Sequence, residues 1–69
     1  MTISKREYEV LDLLSLGYSS KEIANKLYIS HATVATHRKN IFEKTKAKNV
    51  ADLIRLAYET GVLHLKLAQ

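Results

Sequence analysis

Two Ser-x-x-Glu boxes near the start of the chain constrain its fold more than any other sequence feature. Ser4 precedes Glu7 by three residues, and the same spacing recurs between Ser19 and Glu22. In such a box each side chain accepts a hydrogen bond from the other residue's backbone N–H, which satisfies two of the four unpaired donors at a helix start. Each box therefore predicts the beginning of an α-helix.

Further cap residues complete a pattern of four helices. Ser30 and Asn49 are favoured N-cap residues, and Gly17 and Gly61, the only glycines, suit left-handed positions after a helix end. Proline is absent, and no segment carries a strand signal. The sequence predicts an all-α, four-helix bundle-like domain with helices at about residues 5–16, 20–27, 31–45 and 50–60.

Apolar residues recur at helical spacing within each predicted helix and would meet in one core. These residues are Val10, Leu11, Leu13, Leu14, Ile23, Ala24, Leu27, Val34, Ile41, Val50, Leu53, Ile54 and Ala57, with Ile29 in the turn after the second helix. A chain of 69 residues can bury one small core and is too short for a roomy catalytic cleft. Residues 1–69 are therefore predicted to be a single domain with a binding function rather than an enzymatic one.

Charge and composition narrow the class of partner. Eleven Lys and Arg against seven Asp and Glu give a net charge of +4, which favours a polyanion. Cysteine is absent, and His31, His37 and His64 lack metal-ligand spacing, so no metal or cofactor is expected. Neither an apolar run of roughly 20 residues nor a signal-peptide pattern is present. The chain is expected to be soluble and cytoplasmic.

The second and third predicted helices have the properties of a helix-turn-helix. Ala24 lies ten residues before Val34, and its small side chain would let the third helix cross close to the second. Many such motifs have Gly in the turn, where this chain has Tyr28, whose ring is expected to cover the core instead.

A helical projection of residues 31–45 leaves one polar face unburied. Its residues are Ala32, Thr36, Lys39 and Glu43, flanked by Thr33, Ala35 and Asn40. In a major groove Lys39 can donate to guanine acceptors, and Thr36 can touch a thymine methyl or hydrogen-bond a base edge. Ala35 is small enough to permit close approach to the bases. The third helix is thus a candidate recognition helix.

Phosphate contacts are predicted where helix starts and basic side chains adjoin this face, because unpaired N–H groups and the helix dipole favour an anion there. The candidates are Ser19, Ser20 and Lys21 at the second helix, Ser30, His31 and Thr33 at the third, and Arg38, Lys44, Lys46 and Lys48 along its flank. For Ser19 and Ser30, helix capping is the alternative role.

The order of these residues closely resembles the LuxR-type (NarL/FixJ-like) helix-turn-helix domain, the output domain of many bacterial response regulators and quorum-sensing activators. The matching positions are Ser4 to Leu11, Gly17, Lys21 to Ala24, Leu27, Ile29, Ser30, Thr33, Val34, His37, Ile41 and Lys44, within a resemblance that covers residues 2 to about 63. The resemblance implies a recognition helix in the major groove and dimers on repeated half-sites. It also suggests that Glu7 ties helix one to helix three.

The resemblance assigns base contacts to Ala35, Thr36 and Lys39. Together with the helix starts, the predicted DNA backbone contacts are Ser20, Lys21, His31, Thr33, His37, Arg38, Asn40 and Lys44. Three positions depart from the family. Ala35 stands where Lys is common, so the polar base contact that a Lys would make is not expected at this position. Val50 stands where Arg is common, which removes a polar contact. Thr45 stands where Leu is common and is expected to loosen the junction between helices three and four.

The resemblance also implies pairing of two subunits through helix four, with Asp52, Arg55, Leu56 and Glu59 at the dimer interface. The expected partners are double-stranded DNA, a second copy of the chain and RNA polymerase. No membrane and no small-molecule ligand is expected for this domain.

Two other interpretations remain open at the sequence level. One is a sigma-factor-like promoter-binding module, against which the capped fourth helix argues. The other is a helical interaction module whose basic face meets an acidic protein, which predicts little affinity for DNA. The sequence is compatible with a free-standing small regulator or with the C-terminal end of a larger protein. It specifies neither the operator, nor the controlling signal, nor activation as opposed to repression.

Overall fold

The structure is a computed structural model that describes residues 2–63, and within this range it contains four helices and no strand. The helices are α1 (Lys5–Ser15), α2 (Ser20–Leu27), α3 (His31–Thr45) and α4 (Val50–Glu59). The predicted all-α class is confirmed, and only the ends of α1 and α4 fall one residue earlier than predicted. His64 and the outermost residues of the predicted 1–69 domain lie outside the described range.

The predicted capping boxes start the first two helices. Ser4 Oγ accepts the Glu7 backbone N–H at 3.2 Å, while Glu7 Oε1 accepts the Ser4 N–H at 3.0 Å. Ser19 and Glu22 make the same pair of bonds at 3.2 and 2.9 Å. A side chain in this arrangement satisfies donors that a helix start otherwise leaves to water.

Single N-caps start the other two helices. Ser30 Oγ accepts the Thr33 backbone N–H at 3.0 Å at the start of α3. At the start of α4, Asn49 Oδ1 accepts the Asp52 backbone N–H at 2.8 Å. All four helix starts are therefore set by local side chains that the sequence identifies.

Four residues with positive φ close the helices. Gly17 and Gly61 adopt φ values of 95° and 81°, as predicted for glycines after a helix end. Tyr28 and Lys46 end α2 and α3 with φ values of 57° and 59°. A residue with a Cβ in the left-handed region costs roughly 1–2 kcal/mol. Two of the four helix ends therefore carry local strain.

Both α1 and α3 lie at the centre of the domain, because each packs against the other three helices. The fully or nearly buried core consists of Val10, Leu11, Leu14, Ile23, Ala24, Val34, Ile41, Leu53, Ala57 and Leu63. Leu13, Leu27 and Ile29 are half-buried against it. Ala24 and Val34 are both buried, as the predicted close crossing of α2 and α3 requires.

Thr45 makes two hydrogen bonds at the end of α3, where the connector to α4 begins. Thr45 Oγ1 donates to the Ile41 carbonyl oxygen at 2.9 Å and accepts the Ala47 backbone N–H at 3.3 Å. Ala47 itself packs against the core. Neither bond reaches α4, so the predicted loosening of the junction between α3 and α4 stays a prediction.

None of the helices within residues 2–63 combines the length and the apolar character needed to span a bilayer.

Candidate nucleic-acid interface

One face of α3 is open to solvent and carries the residues predicted to read bases. Ala35, Thr36 and Lys39 are all exposed, whereas Val34 and Ile41 on the opposite side are completely buried. Ala32 and Glu43, the ends of the predicted outward stripe, are exposed as well. The orientation that the helical projection predicts is therefore the orientation of α3 in the domain.

Two hydroxyl groups near the start of α3 are engaged within the helix. Thr36 Oγ1 donates to the Ala32 carbonyl oxygen at 3.1 Å. Thr33 Oγ1 lies 2.8 Å from Ser30 Oγ, so these two hydroxyls share a hydrogen bond. The sequence left the role of the Thr36 hydroxyl open, and the structure shows that its hydrogen is used by the protein.

A side-chain contact brings the start of α2 against α3. Arg38 Nη1 donates to Ser20 Oγ at 2.5 Å, and both residues are half-buried. Lys21, the next residue along α2, is exposed. Two predicted phosphate-contacting residues thus lie together at one edge of α3, beside the positive end of the α2 dipole. Their separation of 18 positions gave no signal of this contact in the sequence.

Glu22 belongs to the same helix start and stays ionised. The pKa of this exposed carboxyl is lowered, chiefly because the Ser19 backbone N–H donates a hydrogen bond to it. In the capping box, its carboxylate accepts the Ser19 backbone N–H at the start of α2. Ser19 therefore has the capping role that the sequence offered as the alternative to phosphate contact.

An ion pair ties the far end of α3 to α1. Lys44 Nζ lies 2.5 Å from Glu7 Oε1, and the side chain of Glu7 is 6% exposed while that of Lys44 is 41% exposed. The pKa of Glu7 is lowered, first because Lys44 donates this hydrogen bond and second because the Ser4 backbone N–H does; burial acts in the opposite direction. The contact between helices one and three that the resemblance suggested is present.

The remaining predicted backbone contacts occupy the borders of the open face. His31 and Thr33 are exposed at the start of α3, while His37 and Asn40 are half-buried along its sides. Lys44 is the exception, because its ammonium group is paired with Glu7. Its phosphate contact stays a prediction.

Tyr28, in the turn of the helix-turn-helix, points away from the core. Its side chain is 94% exposed, so the expectation that its ring covers the core is wrong. The reason is that Ile29, the following residue, packs against the core, and the left-handed conformation of Tyr28 makes the turn that carries it there. Elsewhere on α2, Lys26 Nζ lies 4.5 Å from the centroid of the Tyr18 ring.

On the outer side of α4, two carboxylates share one guanidinium group. Arg55 bonds both Asp52 and Glu59, each at 2.7 Å. The pKa of Asp52 is lowered, first by the hydrogen bond from the Lys48 backbone N–H, and that of Arg55 is raised, first by its bond to Asp52. Leu56 is half-buried beside them.

Within residues 2–63, no three His, Cys, Asp or Glu side chains gather where they could hold a metal ion.

Comparisons with known proteins agree with this architecture. Residues 1–57 match the family described as bacterial regulatory proteins, luxR family. Among curated proteins, the oxygen regulatory protein NreC of Staphylococcus carnosus (strain TM300) is 41% identical over 61 residues, which cover 88% of this chain and 28% of NreC. NreC of Staphylococcus aureus (strain NCTC 8325 / PS 47) gives the same identity and coverage.

A solved structure has the same fold. The response regulator ChrA of a heme-sensing two-component system superposes with a TM-score of 0.86 at 36% identity, covering 91% of this chain and 31% of ChrA. The chain thus spans less than a third of the length of these relatives. The family match, which extends over most of the chain and includes both capping boxes and α3, shows that it belongs to the LuxR family of bacterial regulatory proteins.

Proposed function

We propose that this chain binds double-stranded DNA at specific sequences, with α3 in the major groove, as part of a bacterial transcriptional regulator. The observation that carries the proposal is the exposure of Ala35, Thr36 and Lys39 on a helix whose other side is anchored in the core. Helix-turn-helix proteins present base-reading side chains from a helix held in this way. LuxR-family domains bind DNA, which supports the same conclusion.

The second support comes from the groups that border α3. Arg38, held at the start of α2 by Ser20, can contact a phosphate while Lys39 faces the bases. Phosphate contacts orient a protein on the duplex, and base contacts select the sequence. The proposed backbone contacts are Ser20, Lys21, His31, Thr33, His37, Arg38 and Asn40. Lys44 is also proposed, but it contacts a phosphate only where that phosphate replaces the Glu7 carboxylate as its partner.

Selection from random duplexes tests the proposal directly. The purified chain should enrich one motif, and the logarithm of its binding constant should fall linearly with the logarithm of salt concentration. Lys39→Ala should weaken binding to that motif by about 1–3 kcal/mol and change binding to random DNA much less. Lys5→Ala removes the same charge from an exposed position on α1 and serves as the control. Absence of enrichment, with salt-insensitive binding, would contradict the proposal.

We also propose that two copies pair through α4 when bound to adjacent half-sites. One domain of this size offers few base contacts, and pairing on two half-sites multiplies them. On α4, Leu56 is half-buried beside Arg55, which pairs with Asp52 and Glu59 in the same helix, so these three charges leave a net charge of −1 rather than −2 to repel a second copy.

Substitutions on opposite sides of α4 test the pairing. Leu56→Glu should abolish cooperative binding to a two-half-site duplex while leaving binding to a single half-site intact. Tyr58→Glu adds the same charge two residues along, which is about 200° around the helix, and should leave cooperativity unchanged. Sedimentation of both variants with and without DNA gives the measurement. Equal cooperativity in the parent and in Leu56→Glu would exclude this interface.

We further propose that the chain acts at the bacterial chromosome in the cytoplasm, with RNA polymerase as an additional partner. No catalytic role is proposed.

A further inference from the structure

The turn between α2 and α3 exposes a tyrosine whose side chain the fold does not use. The Tyr28 side chain is 94% exposed, and across residues 2–63 no other group forms a hydrogen bond or a ring contact with it. A tyrosine side chain combines an apolar ring with a hydroxyl that can donate one hydrogen bond. Both groups of Tyr28 are therefore free to contact a partner.

The backbone of Tyr28 would accommodate a glycine at lower cost. Its φ of 57° lies in the left-handed region, which glycine adopts readily and which a residue with a Cβ adopts only with strain. The turn brings Ile29 to the core through this backbone conformation, and the ring takes no part in it. Strained residues of this kind cluster at functional sites. Since neither the turn nor the core requires a tyrosine here, the side chain is available for binding.

The position of Tyr28 in the helix-turn-helix favours the DNA backbone as the partner. One residue separates Tyr28 from Ser30, the N-cap of α3, and both Ser30 and His31 are exposed. In a docked helix-turn-helix the first helix crosses the DNA backbone, and the start of the second enters the major groove. Tyr28 joins these two helices, so it lies where the chain passes from the backbone to the groove.

We propose, on the basis of the DNA-binding function proposed above, that Tyr28 binds the sugar–phosphate backbone at the edge of the major groove. Its hydroxyl donates to a phosphate oxygen, as tyrosine hydroxyls do in protein–DNA complexes, and its ring packs against the adjoining deoxyribose. Arg38 contacts a different phosphate, because about 10 Å of α3 separates it from His31. Tyr28 thus orients the start of α3 on the duplex without reading its sequence.

Removal of the hydroxyl alone tests the contact. Tyr28→Phe should weaken binding to the selected duplex and to random DNA by the same factor, about three- to tenfold, because one hydrogen bond to the backbone is lost. The slope of the log binding constant against log salt concentration should stay unchanged, since no cation is removed. Tyr58→Phe makes the same change on α4, where the side chain is 38% exposed, and serves as the control.

Duplexes with one uncharged phosphate locate the contact. A methylphosphonate replaces one phosphate oxygen by a methyl group and removes the negative charge. At one position this should weaken binding of the parent by about three- to tenfold and weaken binding of Tyr28→Phe much less, because the variant has already lost the hydrogen bond. The corresponding position for Arg38→Ala should be a different phosphate.

Tyr28→Gly separates binding from folding. This variant loses the ring and the strained Cβ together, so it should unfold at a higher urea concentration than the parent and yet bind DNA at least as weakly as Tyr28→Phe. A loss of binding caused by partial unfolding would instead lower stability and affinity together.

The outcomes distinguish this inference from the function on which it rests. If the chain enriches no duplex and its binding is insensitive to salt, both are overturned. If a duplex is enriched but Tyr28→Phe and Tyr28→Gly both bind it within twofold of the parent, only the Tyr28 contact is overturned. The same holds if every methylphosphonate weakens the parent and Tyr28→Phe by equal factors, because the hydroxyl then contacts no phosphate.

Discussion

Replacing Glu7 by Gln measures what the contact between α1 and α3 contributes to stability. Gln keeps the shape of the side chain and can still accept the Ser4 backbone N–H, so the change isolates the charge facing Lys44. A hydrogen bond to a charged group contributes about 1.5–3 kcal/mol. Because the Lys44 side chain is 41% exposed, solvent screening reduces this, and we expect a loss of about 1–2 kcal/mol.

A loss of this size is large for so small a domain. A chain of 69 residues has a free energy of unfolding of roughly 3–10 kcal/mol. Urea unfolding followed by circular dichroism at neutral pH measures the difference directly. In thermal unfolding, the midpoint of Glu7→Gln should fall by about 5–10 °C.

The contribution of Glu7 to the free energy of unfolding should depend on pH. The pKa of Glu7 in the folded state lies below its ordinary value of 4.5, so between these two values the unfolded chain binds more protons than the folded chain. The contribution of Glu7 is therefore fully present above pH 4.5 and is lost as the pH falls through the lowered pKa. The stabilities of the parent and of Glu7→Gln should converge once the pH lies below the lowered pKa of Glu7, where both side chains are neutral.

Glu9→Gln is the matched control on the same helix. Glu9 Oε1 lies 3.7 Å from Arg6 Nη1, with side chains 39% and 42% exposed, and such surface pairs contribute little. Its loss should stay below about 0.5 kcal/mol. Equal losses for the two variants at neutral pH, or a deficit in Glu7→Gln that persists undiminished in acid, would refute this account of the contact.

Three further substitutions address other contacts. Arg38→Ala should weaken binding to all DNA sequences alike and reduce the slope of the log binding constant against log salt concentration by about 0.9, measured by fluorescence anisotropy. A loss confined to the selected motif would instead show that Arg38 contacts a base. Tyr28→Gly should raise the free energy of unfolding by about 0.5–1 kcal/mol, because the left-handed position no longer carries a Cβ, whereas Tyr28→Ala should not raise it. Destabilisation by Tyr28→Gly would show that the exposed ring contributes to stability. Thr45→Val should cost about 1 kcal/mol in urea unfolding by removing both hydroxyl hydrogen bonds, and an unchanged stability would show that these bonds do not stabilise the end of α3 and its connector.

The sequence by itself determined the helices and which side of each faces the core. Caps such as Ser4 with Glu7 act over three residues, and apolar periodicity acts over two turns, so both are visible without the fold. The exposed face of α3 followed from the same periodicity. The family resemblance added the positions that are predicted to contact bases.

Only the tertiary structure decided which distant groups meet. Ser20 and Arg38 are 18 positions apart, and Glu7 and Lys44 are 37 positions apart, so their contacts depend on the crossing angles of whole helices. The exposure of Tyr28 is opposite to the sequence-based expectation, because the turn directs Ile29 rather than the Tyr28 ring into the core. Local hydrogen bonds and side-chain spacing are encoded over a few residues, whereas long-range pairs arise only when the packed core sets one helix against another.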